Sequence, residues 1–386
     1  MKTFQKFMSY VVVAVLASIM TLAVSHEPAD AKPQSKLDQL EQLILEKFIG
    51  EADKTVMEDA AAYAMVDSLG DRWSYYIPAA EYSSYLDQMN NSYVGIGVTI
   101  QVMEDDSGFL VTKVNEGGPA DQAGMLPGDL FIAVDGTDVR GWDVNDCSAL
   151  VKGEENTTVD ITVLREGEKI TLTVTRMLVE TPVATAKMLD DGIGLITIAN
   201  FDQRCSDETI AAMNTLLSQG AEKLIFDVRF NPGGYVHELC GVLDYILPEG
   251  ELFRSVNYQG RESLEVSDEK CIEGIPMAVL INGESYSAAE FFAAALREYD
   301  YAIVVGEPTT GKGYFQQTTV LNDGSAVGLS MGKYFTPKGV SLAEVGGLVP
   351  DVVIAVDEDT AVEIYAGTLD PMADPQILAA IEALNK

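Results

Sequence analysis

Residues 276–313 read PMAVLINGESYSAAEFFAAALREYDYAIVVGEPTTGKG. PMAVLING is an apolar run that ends in a polar turn. SAAEFFAAALREY places apolar residues at helical spacing, and YAIVVGE is a second apolar run. A strand, a helix and a strand of these lengths predict parallel strands covered by helices. The same alternation extends upstream. GIGLITIANF and KLIFDVRF read as strands, SDETIAAMNTLLSQG and YVHELCGVLDYIL as helices, and NPGG (231–234) as a sharp turn between a strand and a helix. Downstream, TTVLNDGSAVGLSM reads as a hairpin turning at Asn-Asp-Gly, and the chain closes on an amphipathic helix, DPQILAAIEALNK. Residues 179–356 are therefore an α/β core, followed by a helical tail over 357–386.

Upstream of that core the texture differs. Residues 91–178 form a β-rich module: YVGIGVTIQV, FLVTKV and DLFIAVDGTDV are strands, DVNDCSALVKG is a helix, and TVDITVLREGEKITLTVTR is a hairpin turning at Glu166-Gly167. Gly95, Ile96, Gly97 and Val98 open its first long strand. Two glycines there leave backbone N–H groups able to receive a peptide's terminal carboxylate, although Gly-x-Gly also occurs in many ordinary turns. Residues 32–90 are expected to be a helical arm, with Leu37, Leu40, Ile44 and Phe48 on one apolar face. The arm is too small to bury a core alone, so it packs on the body or on a second copy.

The chain has 386 residues and a formal net charge of −35, which repels phosphate backbones and excludes nucleic acid as a natural partner. Lys2 and Lys6 precede an apolar run over residues 8–24, the pattern of an export segment within residues 1–31. A cleaved signal and an uncleaved anchor both fit. Either places the rest outside the cytoplasm, membrane-anchored at the surface or secreted, touching a membrane only through this segment. Four cysteines in an exported chain permit disulfides but require none. With two histidines, His26 and His237, and no CxxC cluster, no metal or other cofactor is expected.

GEPTTGKG (306–313) nearly spells a phosphate-binding loop, but Gly313 stands where a Ser or Thr hydroxyl must meet Mg²⁺. Lys312 therefore needs another role. A solvated charge is the plain one. The chemical one is to act as a base for a serine, since a buried lysine is neutral near pH 7 and histidine is nearly absent here. Ser287 opens a helix three residues before Glu290, which makes it a capping-box residue and equally a nucleophile at a helix N-terminus. The Ala288 amide and the glycines of NPGG are candidate donors to an oxyanion. The Gln316 carbonyl can hold an amine without adding charge.

Together these motifs resemble the C-terminal (tail-specific) processing peptidases, serine family S41 with an embedded PDZ domain. LGDRWSYYIPAAEY, YVGIGV, GGPADQAGMLPGDLFIAVDG, DVRFNPGG, NGESYSAAE, GKGYFQQ, YFTPKG and GLVPD follow the family's order, with Phe230 where the family more often has Asn. The resemblance implies a core like the crotonase and Clp-protease spiral of ββα units. It implies Ser287 as nucleophile, Lys312 as general base, Gln316 as its orienting partner, and Gly233 and Ala288 as oxyanion donors. It also implies a PDZ loop, Gly95–Val98, that takes the free C-terminus of a protein or peptide substrate, and a homodimer formed through arm and tail. Other readings are an inactive PDZ-type peptide-binding protein, a crotonase-type thioester enzyme and a P-loop enzyme.

Overall fold

The computed structural model describes residues 35–103 and 105–386. The export segment expected over residues 1–31 lies outside the described residues. The chain divides into two bodies, one ending at Gly70 and one beginning at Asp71.

Among the described residues, the first body holds two helices. In α1 (Lys36–Lys47), Ser35 and Asp38 cap each other: Ser35 Oγ accepts from the Asp38 amide at 3.1 Å, and Asp38 Oδ2 from the Ser35 amide at 2.9 Å. Asp53 caps α2 (Lys54–Asp67) by accepting from the Val56 amide. Lys54 joins the pair through Glu41. Neither helix buries a residue. Of the expected apolar face, Leu37, Leu40 and Phe48 are exposed among the described residues, while Ile44 is half-buried.

The helical region does not continue to residue 90. Beyond Gly70 comes a strand, β1 (Tyr75–Ile77), then α3 (Ala79–Met89). The β-rich module follows. Strand β2 (Ser92–Gly95) leads to β3 (Val98–Val102), β4 (Phe109–Val114), a short α4 (Pro119–Gln122), β5 (Leu130–Val134), β6 (Thr137–Asp138), α5 (Val144–Val151), β7 (Thr158–Arg165), β8 (Glu168–Thr175) and β9 (Met177–Glu180). Strands pair in the order β3-β4-β5-β7-β8, and β2 pairs with β9 where the chain enters and leaves. The β7–β8 turn places Glu166 at φ 52° and Gly167 at φ 87°, the left-handed pair that a tight hairpin demands. Phe109, Val111, Phe131, Ile161 and Val163 fill the interior.

The core begins at β10 (Ala184–Met188), followed by β11 (Ile193–Ile198), α6 (Cys205–Ser218), β12 (Lys223–Asp227) and α7 (Val236–Ile246). A hairpin, β13 (Gly250–Asn257) and β14 (Glu262–Ser267), precedes β15 (Met277–Ile281), α8 (Ala288–Glu298), β16 (Ala302–Gly306), β17 (Tyr314–Val320), β18 (Ala326–Phe335), α9 (Leu342–Val345) and β19 (Val352–Val353). The tail is α10 (Glu358–Ala366) and α11 (Pro375–Leu384). One sheet runs β10-β11-β12-β15-β16-β19, parallel except for β10. Its strands are apolar runs because both faces are covered. Leu224, Phe226, Val279 and Ile281 pack with α6, α7 and α8, while Ile225, Ala278 and Leu280 pack with Ile377 and Ala380 of α11. A second sheet runs β1-β18-β13-β14, with β17 on β18.

The loops after β12, β15 and β16 leave the same, carboxyl-terminal edge of a parallel sheet, where such folds gather their chemistry. The third loop feeds a strand rather than a helix. Gly313 there abuts α9: a Cβ would lie 2.7 Å from the Ala343 Cβ. No helix N-terminus follows to hold a phosphate, so the loop only mimics a nucleotide site. The four cysteines are unpaired.

Candidate active site

Ser287 is the hinge between β15 and α8. Its backbone sits at φ 58°, ψ −122°, which costs a non-glycine residue about 1–3 kcal/mol. The following helix and one buried carboxylate hold it there. Glu290 Oε2 accepts from the Ser287 amide at 3.0 Å, and Ser287 O accepts from the Phe291 amide at 3.0 Å. The Ala288 amide is one of the donors that a helix leaves without an intrahelical acceptor, at its positive end.

The turn after β12 lies directly against this hinge. Asn231 is fully buried; its Nδ2 donates to Ile198 O and its backbone carbonyl accepts from the Tyr286 amide. Gly233 takes φ 91°, and a Cβ there would stand 2.7 Å from the Ser287 Cβ and 2.8 Å from the Ala288 nitrogen. Only glycine allows that approach. The Gly233 amide, however, donates to Asn231 Oδ1 at 2.8 Å within its own turn. An Asn side chain commonly satisfies a turn amide in this way. The Gly233 amide is therefore committed within its turn, while among the described residues no hydrogen bond takes the Ala288 amide.

Lys312 reaches the hinge through the same carboxylate. Glu290 Oε2 accepts from its amide at 2.8 Å, and Oε1 accepts from the Gly311 amide at 3.0 Å and from Thr309 Oγ1 at 2.7 Å. The Lys312 Nζ lies 4.7 Å from the centre of the Trp73 ring and 5.8 Å from that of Tyr286. Burial lowers its pKa to about 8; Glu290 and Asp71 pull upward and Arg72 pushes downward, but burial dominates. Burial raises the Glu290 carboxyl above its ordinary value, against the four hydrogen bonds it accepts.

Tyr334, on β18, carries no motif that marks it in the sequence. Its ring is buried against Phe253 and Phe291, its hydroxyl donates to Lys312 O, and the Ser287 side chain interacts with the same hydroxyl. Among the described residues no hydrogen bond joins Ser287 Oγ to Lys312 Nζ. Gln316 lies on β17, and among the described residues it makes no hydrogen bond to Lys312. Its Nε2 donates to Ser330 Oγ at 3.0 Å and to Tyr314 O at 3.1 Å.

Gly95, Ile96, Gly97 and Val98 line a groove of about 550 Å³ in the β-rich module. Val151 of α5 lies opposite, with Lys152 at its end. A further wall comes from Asp87 and Gln88 of α3, within the helical arm expected over residues 32–90.

Residues 192–354 match the family described as peptidase family S41, and residues 110–165 match a PDZ domain. The chain is 31% identical to carboxy-terminal processing protease CtpA of Bacillus subtilis (strain 168), an alignment covering 86% of this chain and 73% of that protein. It is 28% identical to a carboxyl-terminal-processing protease of Synechocystis, covering 89% and 81%. A solved putative S41 protease from Bacteroides fragilis NCTC 9343 shares the fold, with TM-score 0.51 and 16% identity over 89% of this chain and all of that one.

Proposed function

This chain belongs to peptidase family S41 and is a serine-type C-terminal processing endopeptidase, and we propose that Ser287 is its nucleophile, Lys312 its general base and Gln316 the holder of that base. One observation carries the proposal: Glu290 ties the backbones of Ser287 and Lys312 together while the lysine amine sits in a pocket that lowers its pKa to about 8. At pH 7 about one amine in ten is then neutral and able to take a proton.

In the first step the Ser287 hydroxyl oxygen attacks a substrate carbonyl carbon while Lys312 Nζ accepts the hydroxyl proton. The carbonyl π pair moves onto oxygen, facing the Ala288 amide. The Gly233 amide joins once that oxygen displaces Asn231 Oδ1. Lys312 returns the proton to the leaving amine as the C–N bond breaks. Water, deprotonated by the same lysine, then attacks the acyl-enzyme and frees Ser287. In this account Gln316 Oε1, with its Nε2 already committed, accepts from the amine and keeps it in line.

The PDZ groove selects the substrate by taking a free terminal carboxylate on the Gly95–Val98 loop, with the last side chain among apolar residues. The apolar run after Lys2 and Lys6 exports the chain, so its substrates are extracytoplasmic. No described helix is long and apolar enough to cross a membrane. The uncovered leucines of α1 support pairing with a second copy through the arm; light scattering at micromolar concentration should give twice the chain mass, and a single-chain mass would oppose pairing.

The test of the site is a pair of fluorogenic peptides with the same apolar ending, one with a free carboxylate and one amidated. Wild-type protein should cleave the first faster. Ser287→Ala and Lys312→Ala should cleave neither, with melting temperatures unchanged. Cleavage by either variant at the wild-type rate would overturn the assignment.

A further inference from the structure

The groove of the β-rich module has a wall that the module does not build. Strand β3 is the edge of its sheet, so one side of its backbone is free to pair with an added strand. Asn145, Ser148 and Val151 recur every three residues on one face of α5 and line the groove, with Lys152 after them. Ser84, Asp87 and Gln88 of α3 line it as well, at the spacing of a single helix face. That face is held from behind. Tyr85, on another side of α3, has its hydroxyl 3.0 Å from that of Tyr75 on β1, which lies 2.8 Å from Thr318 Oγ1 on β17. Tyr82 stacks on Tyr85 with ring centres 6.0 Å apart. Just past α3 the Asn91 and Asn200 side-chain amides bond each other at 2.7 and 3.1 Å. Thus α3 is anchored to the core and presents a fixed wall to the groove.

Asp87 and Lys152 are the charged side chains that line this groove, one on α3 and one at the end of α5. Asp87 is half-buried, and among the described residues no ion pair or side-chain hydrogen bond takes its carboxylate. A tail bound as an added strand points successive side chains to opposite sides. With the last side chain among Ile96, Phe131 and Val151, the antepenultimate one faces the same way, toward Ser148 and Asn145. The penultimate side chain then points away from α5, to the side that α3 closes. We propose that Asp87 is a specificity-determining residue of this peptidase: it reads the penultimate side chain of the substrate's tail and selects a cation, so the groove takes tails that end in Lys or Arg followed by an apolar residue. This inference rests on the reading of the groove as the receiver of a free carboxyl terminus.

The charges of the groove match such a tail. Lys152 follows Val151, on the side that takes the last residue, where positive charge suits a terminal carboxylate. Asp87 has no cation of its own, so an incoming ammonium or guanidinium displaces nothing. Ser84 and Gln88 beside it offer oxygens to which the same head can donate. A penultimate Asp or Glu meets like charge at a half-buried site, and that repulsion rejects it. An apolar side chain there covers the carboxylate without pairing it, which costs desolvation.

The experiment measures, by fluorescence anisotropy, the binding of labelled peptides to the full chain carrying Ser287→Ala, which keeps the peptides intact. The peptides share one apolar last residue and differ in the penultimate one, Lys or Glu, each with a free or an amidated terminus. Among the free-carboxylate peptides, the Lys form should bind roughly tenfold tighter than the Glu form at low salt, the combined scale of one attraction gained and one repulsion avoided. High salt should narrow the gap. Adding Asp87→Asn should bring the two Kd values together, and Asp87→Lys should invert their order. Glu168→Gln, an equal change of net charge on an exposed residue outside the groove, should leave the gap intact. Equal Kd values for the two peptides, or a gap that survives Asp87→Asn, overturn the proposal. The amidated peptides separate the two levels: if amidation leaves the Lys peptide's Kd unchanged, the groove does not receive a carboxyl terminus, and that reading falls together with this inference.

Discussion

Ser287 and Lys312 donate their backbone amides to a single oxygen, Glu290 Oε2, at 3.0 and 2.8 Å. A residue that reads as a helix-capping partner is therefore also the strut between the two loops of the site. Capping and the proposed chemistry do not compete here, since the cap ties the Ser287 and Lys312 backbones together.

Removing that strut has a calculable cost. Glu290→Ala would leave four buried donors without an acceptor, and each such loss costs about 1–3 kcal/mol. Denaturant titration should show a loss of at least about 3 kcal/mol, with cleavage abolished. A variant as stable as wild type would mean that the carboxylate is incidental.

Gly233 is the next pressure point. With φ 91° and no room for a Cβ beside Ser287, Gly233→Ala must displace either the turn or Ser287. We expect kcat to fall by about a hundredfold or more, the scale of a lost oxyanion donor, while KM changes little. Near-normal turnover would show that the turn is not part of the machinery.

Activity should follow the Lys312 titration. With Lys312 as the proposed base, the neutral amine is the active form, so rate should rise with pH through a value near 8 and then level off. Trp73→Ala admits water to the amine, weakens the burial that holds its pKa down, and should move the acid limb to higher pH. An unmoved limb would contradict the account of the pocket.

The C-terminal tail braces the turn from behind. Arg229, next to the turn and buried, is held by Asp227 at 2.6 Å, Asp374 at 2.8 Å and Gln376 Oε1 at 2.8 Å. Breaking a buried pair by removing one partner costs about 3–5 kcal/mol. Asp374→Ala should destabilise the protein on that scale in urea, and an unchanged midpoint would refute the brace.

The loops that carry Ser287, Lys312 and the Asn231–Gly234 turn were legible because each ends an apolar run whose length and composition mark it as a buried strand. The four groove residues were legible for a different reason: paired glycines announce a loop with open amides. Three features were not. Asp71 and Trp73 join the site only because β1 pairs with β18, Tyr75 opposite Gly328, and no local pattern encodes a contact across that much chain. The β13–β14 hairpin escaped because β14 is largely exposed and both strands mix charged with apolar residues, so neither shows a clean apolar period. The commitment of the Gly233 amide to Asn231 depends on side-chain geometry that a turn motif does not specify.

The central claim is that the Lys312 amine loses its proton near neutrality in the folded protein. Carbon-13 NMR of the lysine Cε resonances, with Lys312 assigned by its absence in Lys312→Ala, measures this without any substrate. The account predicts one lysine titrating at about 8; a Lys312 midpoint at the ordinary value of 10.5 would contradict it.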